Sequence, residues 1–217
     1  MRFAVLLFAS AISVSPVNPL VLQAVSDYSD GPSVELAPPI VATAAVPKVA
    51  PPPPPAPPVP VPAEFEPWIV RAGHKCEGIT PGLIAAQVFS ESSFTTSAVS
   101  YSNALGPGQF IPETWARWGV DADGDGSADP FSIADSVMAL ADFMCFNVDS
   151  VKAGITEGKI SGDPVDLALA AYNAGLGAVQ HAGGMPEGGD YSTQTQPYVA
   201  KIRGLEKSFD AALENRV

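Results

Sequence analysis

The chain has 217 residues, a formal net charge of −12 and a pI near 4.4, enough length for one ordinary domain plus extensions. The acidity excludes a nucleic-acid binder, which needs a basic stripe to neutralise phosphates, and it suits no anionic membrane surface. A carbohydrate ligand stays open, because mostly neutral sugars are read by hydrogen bonding and shape.

Met1-Arg2 and the 12-residue, mostly apolar run Phe3 to Val14 read as the start and core of a secretory signal over residues 1–24. The run falls short of the ~20 residues that a spanning helix needs. Leu22-Gln23-Ala24 meets the small-x-small cleavage rule only at its last position, so an uncleaved anchor is the alternative. No other segment is long and apolar enough to span. Residues 25–63 read as a disordered Pro-rich linker. From Pro38 to Pro62, 12 of 25 residues are proline, a composition that forbids helix and central strand and favours polyproline II. A semi-rigid spacer, a solubilising tail and a ligand for a proline-binding partner are the three readings of that stretch.

Composition shifts near Glu64, and residues 64–217 read as one compact, mainly helical domain. Of the 23 acidic and 11 basic residues, only Asp27, Asp30, Glu35, Arg2 and Lys48 lie upstream, which leaves about −11 on the domain. Thr80-Pro81 is an N-cap followed by proline at the first helical position, opening a helix to about Ser92. Pro112 to Trp118 forms a short helix ended by Gly119. Ile133 to about Val148 is a longer amphipathic helix carrying Cys145. Asp163-Pro164 repeats the cap-then-proline signature, with a stop at Gly175. A last helix runs from about Gln194 or Pro197 to near the C-terminus. No alternating run of strand length stands out. Cys76 and Cys145 are an even pair in a chain read as exported, which favours a disulfide from the start of the folded region to its middle.

In the first helix, Ile84, Val88 and Glu91 follow i, i+4, i+7, so the carboxylate continues an apolar stripe. The alternative is an exposed glutamate at a helix end. If buried, its charged form is disfavoured and its pKa rises, as a proton donor for glycosidic cleavage requires. A two-carboxylate glycosidase needs a second acid opposite the first, yet the 21 residues between Glu91 and Glu113 contain none. That loop is small and polar, with Ser100, Tyr101, Ser102 and Asn103. One acid alone favours a mechanism in which the substrate supplies its own nucleophile. Val165, Ala168 and Tyr172 share one helix face, so Tyr172 by spacing alone is a core aromatic. His74 and His181 lack companion ligands, and no Ser-His-Asp order, phosphate loop or zinc pattern is present.

Several ordered motifs carry a resemblance. Ser90-Glu91-Ser92-Ser93-Phe94 is followed by Ala98-Val99-Ser100, then by Ala104-Leu105-Gly106-Pro107-Gly108-Gln109-Phe110-Ile111-Pro112-Glu113-Thr114-Trp115. Downstream come Ala171-Tyr172-Asn173-Ala174-Gly175 and Thr195-Gln196-Pro197-Tyr198-Val199. From about Ile79 to Ile202 the chain resembles the soluble lytic transglycosylase family of the goose-type lysozyme superfamily. The resemblance implies an α+β, lysozyme-like but mainly helical fold. It implies that Glu91 protonates the bond between MurNAc and GlcNAc, then takes the proton of the MurNAc 6-hydroxyl as that oxygen closes onto C1, leaving a 1,6-anhydro end. Ser100, Gln109, Tyr172, Asn173, Gln194 and Tyr198 match positions that bind substrate, with the Tyr172 hydroxyl near the acid. Two positions depart from the pattern: Asn103 stands where the family often has glycine, and Gln194 where it commonly has glutamate.

Asp121, Asp123, Asp125, Ser127 and Asp129 follow calcium-loop spacing around the turn at Gly126. Position 12 is Ser132 rather than a bidentate glutamate, and Asp135 comes three residues late. A structural calcium ion is the expectation, a solvated Asp/Gly turn the alternative; some lytic transglycosylases carry a similar loop. Catalysis is expected to need no cofactor.

The leading reading is therefore an exported, monomeric enzyme of the cell envelope acting on peptidoglycan glycan strands. A muramidase that delivers water to the same centre is the near alternative. A non-catalytic peptidoglycan-binding module is the alternative from another class, and a calcium-responsive structural protein comes last.

Overall fold

A computed structural model describes residues 60–214, all within one compact unit; the expected signal at 1–24 and nearly all of the linker lie outside the described residues. Among these residues seven α-helices follow in order: α1 Glu66–Ala72, α2 Pro81–Ser92, α3 Pro112–Trp118, α4 Ile133–Thr156, α5 Pro164–Ala174, α6 Leu176–Ala182 and α7 Gln196–Glu214, with a π-helical turn at Tyr191–Thr195 leading into α7. Among the described residues, strand pairing is limited to isolated antiparallel bridges joining Val99, Leu105 and Phe110. The fold class is mainly α, as expected, with a helical lysozyme-like arrangement.

The signals that open the helices act as their chemistry dictates. Thr80 Oγ1 accepts the Leu83 N–H at 3.0 Å ahead of Pro81, and Asp163 accepts the N–H groups of Val165 and Asp166 at 3.0 Å ahead of Pro164. Each satisfies backbone donors that a helix start otherwise leaves bare. α2 ends where Ser93 turns left-handed, with φ 52°.

α4 runs eight residues beyond the expected end at Val148. Asp149, Ser150 and Gly154 weaken the local helix signal, but buried Val151 continues the apolar face. At Gly154, a Cβ would come within 2.5 Å of Ile160, so the glycine makes room for the returning chain. α1 and α6 are further helices that sequence patterning did not suggest. Each has only seven residues, and neither has a side-chain cap.

α2 is the centre of the molecule. Gly82 through Val88 are all buried, and the helix packs antiparallel against α7. The Asp210 carboxylate of α7 accepts the Gly82 N–H at 2.6 Å, and Thr80 donates to Glu206 and Asp210 at 3.2 and 3.3 Å. Acidic groups at a helix N-terminus meet its positive dipole end. Only glycine allows this approach, because a Cβ at position 82 would lie 2.3 Å from Asp210. Phe65, Phe89, Phe94 and Phe209 cluster with ring centroids 5.3–6.0 Å apart, which joins α1, α2 and α7 into one core. The Cys76–Cys145 disulfide is present and ties the turn after α1 to α4 across 69 residues, with Cα atoms 5.9 Å apart. No helix of the described residues is long and apolar enough to cross a membrane.

Candidate active site

Glu91 sits in the last turn of α2, and the stripe formed with Ile84 and Val88 carries its half-buried side chain to a cleft of about 370 Å³. The cleft is lined by Ser100, Gln109, Phe110, Phe143, Tyr172 and Asn173 among others. Among the described residues no second carboxylate lines it. Burial pushes the Glu91 carboxyl up to about 7; a hydrogen bond from Tyr198 and the charge of Lys201 pull the other way and are outweighed.

The two tyrosines take different hydrogen-bond partners. Tyr198, on the first turn of α7, donates to Glu91 Oε1 at 2.6 Å. Tyr172 donates instead to the Gly108 carbonyl at 2.7 Å and so ties α5 to the Gly106–Gln109 turn. It still lines the cleft near enough for the charge on Glu91 to raise its pKa, second to burial. Both phenols are held well above their ordinary pKa by burial first and by Glu91 next, so both remain donors.

The loop between α2 and α3 forms one wall. Ser100 Oγ accepts the Ala104 N–H at 3.0 Å, which fixes the serine at the cleft edge. Asn103 adopts φ 60°, the left-handed backbone that asparagine tolerates in place of glycine. Gly106 must be glycine twice over: its φ is +67°, and a Cβ would fall 1.7 Å from the Pro130 carbonyl. Gln109, also left-handed at φ 53°, donates its amide to the carbonyls of Gly106 and Ala98 at 2.9 and 3.3 Å. Its amide oxygen accepts no hydrogen bond among the described residues. Asn173 lines the cleft and accepts from buried Thr195 at 2.8 Å, which secures the π-helical turn to α5. Gln194 lies exposed on that turn, outside the residues that line the cleft.

Patterning missed Gln87. It is fully buried, and its Nε2 donates to the Tyr198 hydroxyl at 3.3 Å, so Gln87, Tyr198 and Glu91 form a chain. Its trace in the sequence is a polar residue four positions before Glu91, within the otherwise apolar stretch Gly82 to Phe89. Ser102 of the polar loop and Thr114 of the motif also line the cleft, as does Phe143, which no local pattern marks.

In the acidic loop, carboxylate oxygens of Asp121, Asp123 and Asp135 lie within 4.8 Å of one another, and Asp135 is fully buried. Asp125 and Asp129 fall outside that group; their oxygens cap the N–H groups of Ser127 and Phe131 at 2.9 Å. Asp135 accepts from Ala122 at 2.7 Å and from Asp129 at 2.9 Å, which pulls the loop onto α4. His74 and His181 take no part in the cleft.

Fold and cleft together define a lysozyme-like helical domain with one half-buried carboxyl in its cleft. The chain belongs to the transglycosylase SLT domain family, whose profile matches residues 69–194. It is similar to the membrane-bound lytic murein transglycosylase C of Actinobacillus pleuropneumoniae serotype 5b, at 33% identity over 116 residues, covering 51% of this chain and 31% of that protein. The membrane-bound lytic murein transglycosylase C of Mannheimia succiniciproducens is also 33% identical, over 119 residues with the same shares. The match thus spans less than a third of the length of these relatives.

The raised pKa of Glu91 has a consequence for stability. From about pH 4.5 to 7 the folded protein keeps a proton on Glu91 that the unfolded chain loses. Stability therefore falls as pH rises through that window, by up to about 3 kcal/mol at ~1.4 kcal/mol per pH unit. Glu91→Gln removes this cost. Urea denaturation is expected to find the variant about 2–3 kcal/mol more stable than the native protein at pH 8 and of equal stability near pH 4; equal stability at both pH values contradicts the burial.

Proposed function

We propose that the chain is an exported peptidoglycan lytic transglycosylase of the cell envelope that cleaves the MurNAc–GlcNAc β-1,4 bond and leaves a 1,6-anhydroMurNAc end. One observation carries this reading: a single carboxyl, raised to about 7, faces a cleft without a second acid. A general acid is most effective when its pKa lies near the working pH. Inverting and retaining glycosidases place a second carboxylate about 5–9.5 Å away to activate water or attack the sugar, and no described residue of the cleft fills that role. An intramolecular hydroxyl then replaces the missing nucleophile.

In the proposed sequence, Glu91 gives its proton to the glycosidic oxygen as the bond to C1 breaks. The carboxylate that forms is stabilised by Tyr198 and by Lys201. It next accepts the proton of the MurNAc 6-hydroxyl while that oxygen bonds to C1, which restores the acid and adds no water. Ser100 and the Gln109 amide oxygen are placed to hold polar groups of the sugars. Tyr198 acts through Glu91 as a positioning residue, as does Gln87 through Tyr198. The test is mass spectrometry of digested peptidoglycan: 1,6-anhydro ends are expected, with turnover at least a hundredfold lower in Glu91→Gln, whereas reducing ends identify a muramidase. Cleavage by Glu91→Gln at the native rate contradicts any role for the carboxyl.

We further propose that Asp121, Asp123 and Asp135 hold a structural calcium ion, supported by convergent hard oxygen donors, which suit that cation. Its contribution is to neutralise the carboxylates that close the loop onto α4, apart from the chemistry at Glu91. Millimolar calcium is expected to raise Tm in the native chain and not in Asp123→Ala; an unchanged Tm in the native chain contradicts the site.

A further inference from the structure

A second pocket, of about 420 Å³, opens beside the cleft between α3, α4 and α6. It shares Thr114 and Phe143 with the cleft that holds Glu91, so the two form one continuous surface. A row of rings leads from one to the other. Tyr172 and Phe143 have centroids 5.2 Å apart, Phe143 and Trp118 5.1 Å, and Trp118 and Phe146 5.0 Å. The Arg117 guanidinium lies over the outer end of this row, 5.7 Å from the Trp118 centroid and 5.9 Å from that of Phe146.

We propose that this pocket binds the peptide substituent carried by the glycan strand, with a free carboxylate of that peptide on Arg117. The inference rests on the reading of the chain as an enzyme of peptidoglycan. Charge is the first argument. Exposed Arg117 lies in no ion pair among the described residues, and it lines the pocket that adjoins the cleft. In a protein of net charge −12, an unpaired guanidinium fixed on aromatic rings is a pre-organised carboxylate site, since little side-chain freedom is lost on binding. Glu113 lines the same pocket one helical turn earlier and is not paired with Arg117. Such a juxtaposition suits a peptide bearing both a carboxylate and an amine.

A neutral sugar fits the pocket less well. Sugar rings stack on open aromatic faces, and here the Arg117 guanidinium already lies over the rings of Trp118 and Phe146. A sugar also has no charges to match Glu113 and Arg117. The catalytic cleft, lined by Ser100, Ser102, Gln109 and Asn173, has the hydroxyls and amides that sugars require. The glycan therefore occupies the cleft, and its peptide branch passes over Phe143 onto Arg117.

The experiment compares kcat/KM on glycan strands with their peptides and on the same strands stripped by an amidase. Exposed charge pairs are individually modest, so Arg117→Gln is expected to lower the ratio of the two values about fivefold, mainly through KM, with partial recovery in Arg117→Lys. A ratio unchanged in Arg117→Gln overturns the proposal, as does an equal loss on both substrates, which marks a sugar site instead. A binding arm needs no turnover: an N-acetylated tetrapeptide with a side-chain carboxylate, a side-chain amine and a free C-terminus is titrated into the full chain, followed by the Trp118 indole NMR signal. A saturable shift is expected in the native protein and a weakened one in Arg117→Gln; no shift in the native protein overturns the proposal. A chain that cleaves neither glycan contradicts the transglycosylase reading, and the titration still decides this one.

Discussion

The bond from Tyr198 to Glu91 joins the two ends of the argument, because it spans the antiparallel pair α2 and α7 on which the rest of the domain is packed. At one end of that pair Asp210 and Glu206 of α7 hold the N-terminus of α2 through Gly82 and Thr80. At the other end Tyr198 meets the carboxyl in the last turn of α2. Two anchors at opposite ends fix the rotation of α2 about its axis. That rotation decides whether Glu91 faces the cleft or the core. Gln87 adds a third support from within the core and sets where the Tyr198 hydroxyl stands.

The site holds two opposing tendencies in one carboxyl. Removal from water favours the protonated acid, while Tyr198 and Lys201 favour the anion, and burial is the larger. A carboxyl balanced near neutrality can give a proton and take one back, and the proposed reaction needs both steps from the same group. The surrounding loop is organised by short-range geometry rather than by charge. Gly106, Asn103 and Gln109 adopt left-handed backbone, and Tyr172 pins the turn through the Gly108 carbonyl. These contacts bring Ser100 and Gln109 to the edge of the cleft without any acidic partner.

Much of this was readable from residues in order. Cap-then-proline pairs located the starts of α2 and α5, and the i, i+4, i+7 stripe brought Glu91 to the cleft, because both signals are local. The Cys76–Cys145 bridge followed from an even count in a chain read as exported. What escaped was set by contacts distant in sequence. The extension of α4 depends on Ile160 packing over Gly154, α1 and α6 are stabilised by burial rather than caps, and the bond between Tyr198 and Glu91 joins residues 107 positions apart. Motif resemblance marked both tyrosines, but only the packed structure assigns Tyr198 to the carboxyl and Tyr172 to the backbone. In the acidic loop, spacing named five residues; folding gathers Asp121 and Asp123 with buried Asp135, while Asp125 and Asp129 lie outside that group.

The account stands on Glu91 being protonated at neutral pH within the folded protein. Carbon-13 NMR of the side-chain carboxyl groups, with the Glu91 signal assigned by its loss in Glu91→Gln, measures this without substrate. A titration midpoint near 7, well above that of the exposed glutamates, is the predicted result. A midpoint near the ordinary glutamate value of about 4.3 contradicts the account, since a carboxyl already ionised at neutral pH has no proton to give to the glycosidic oxygen.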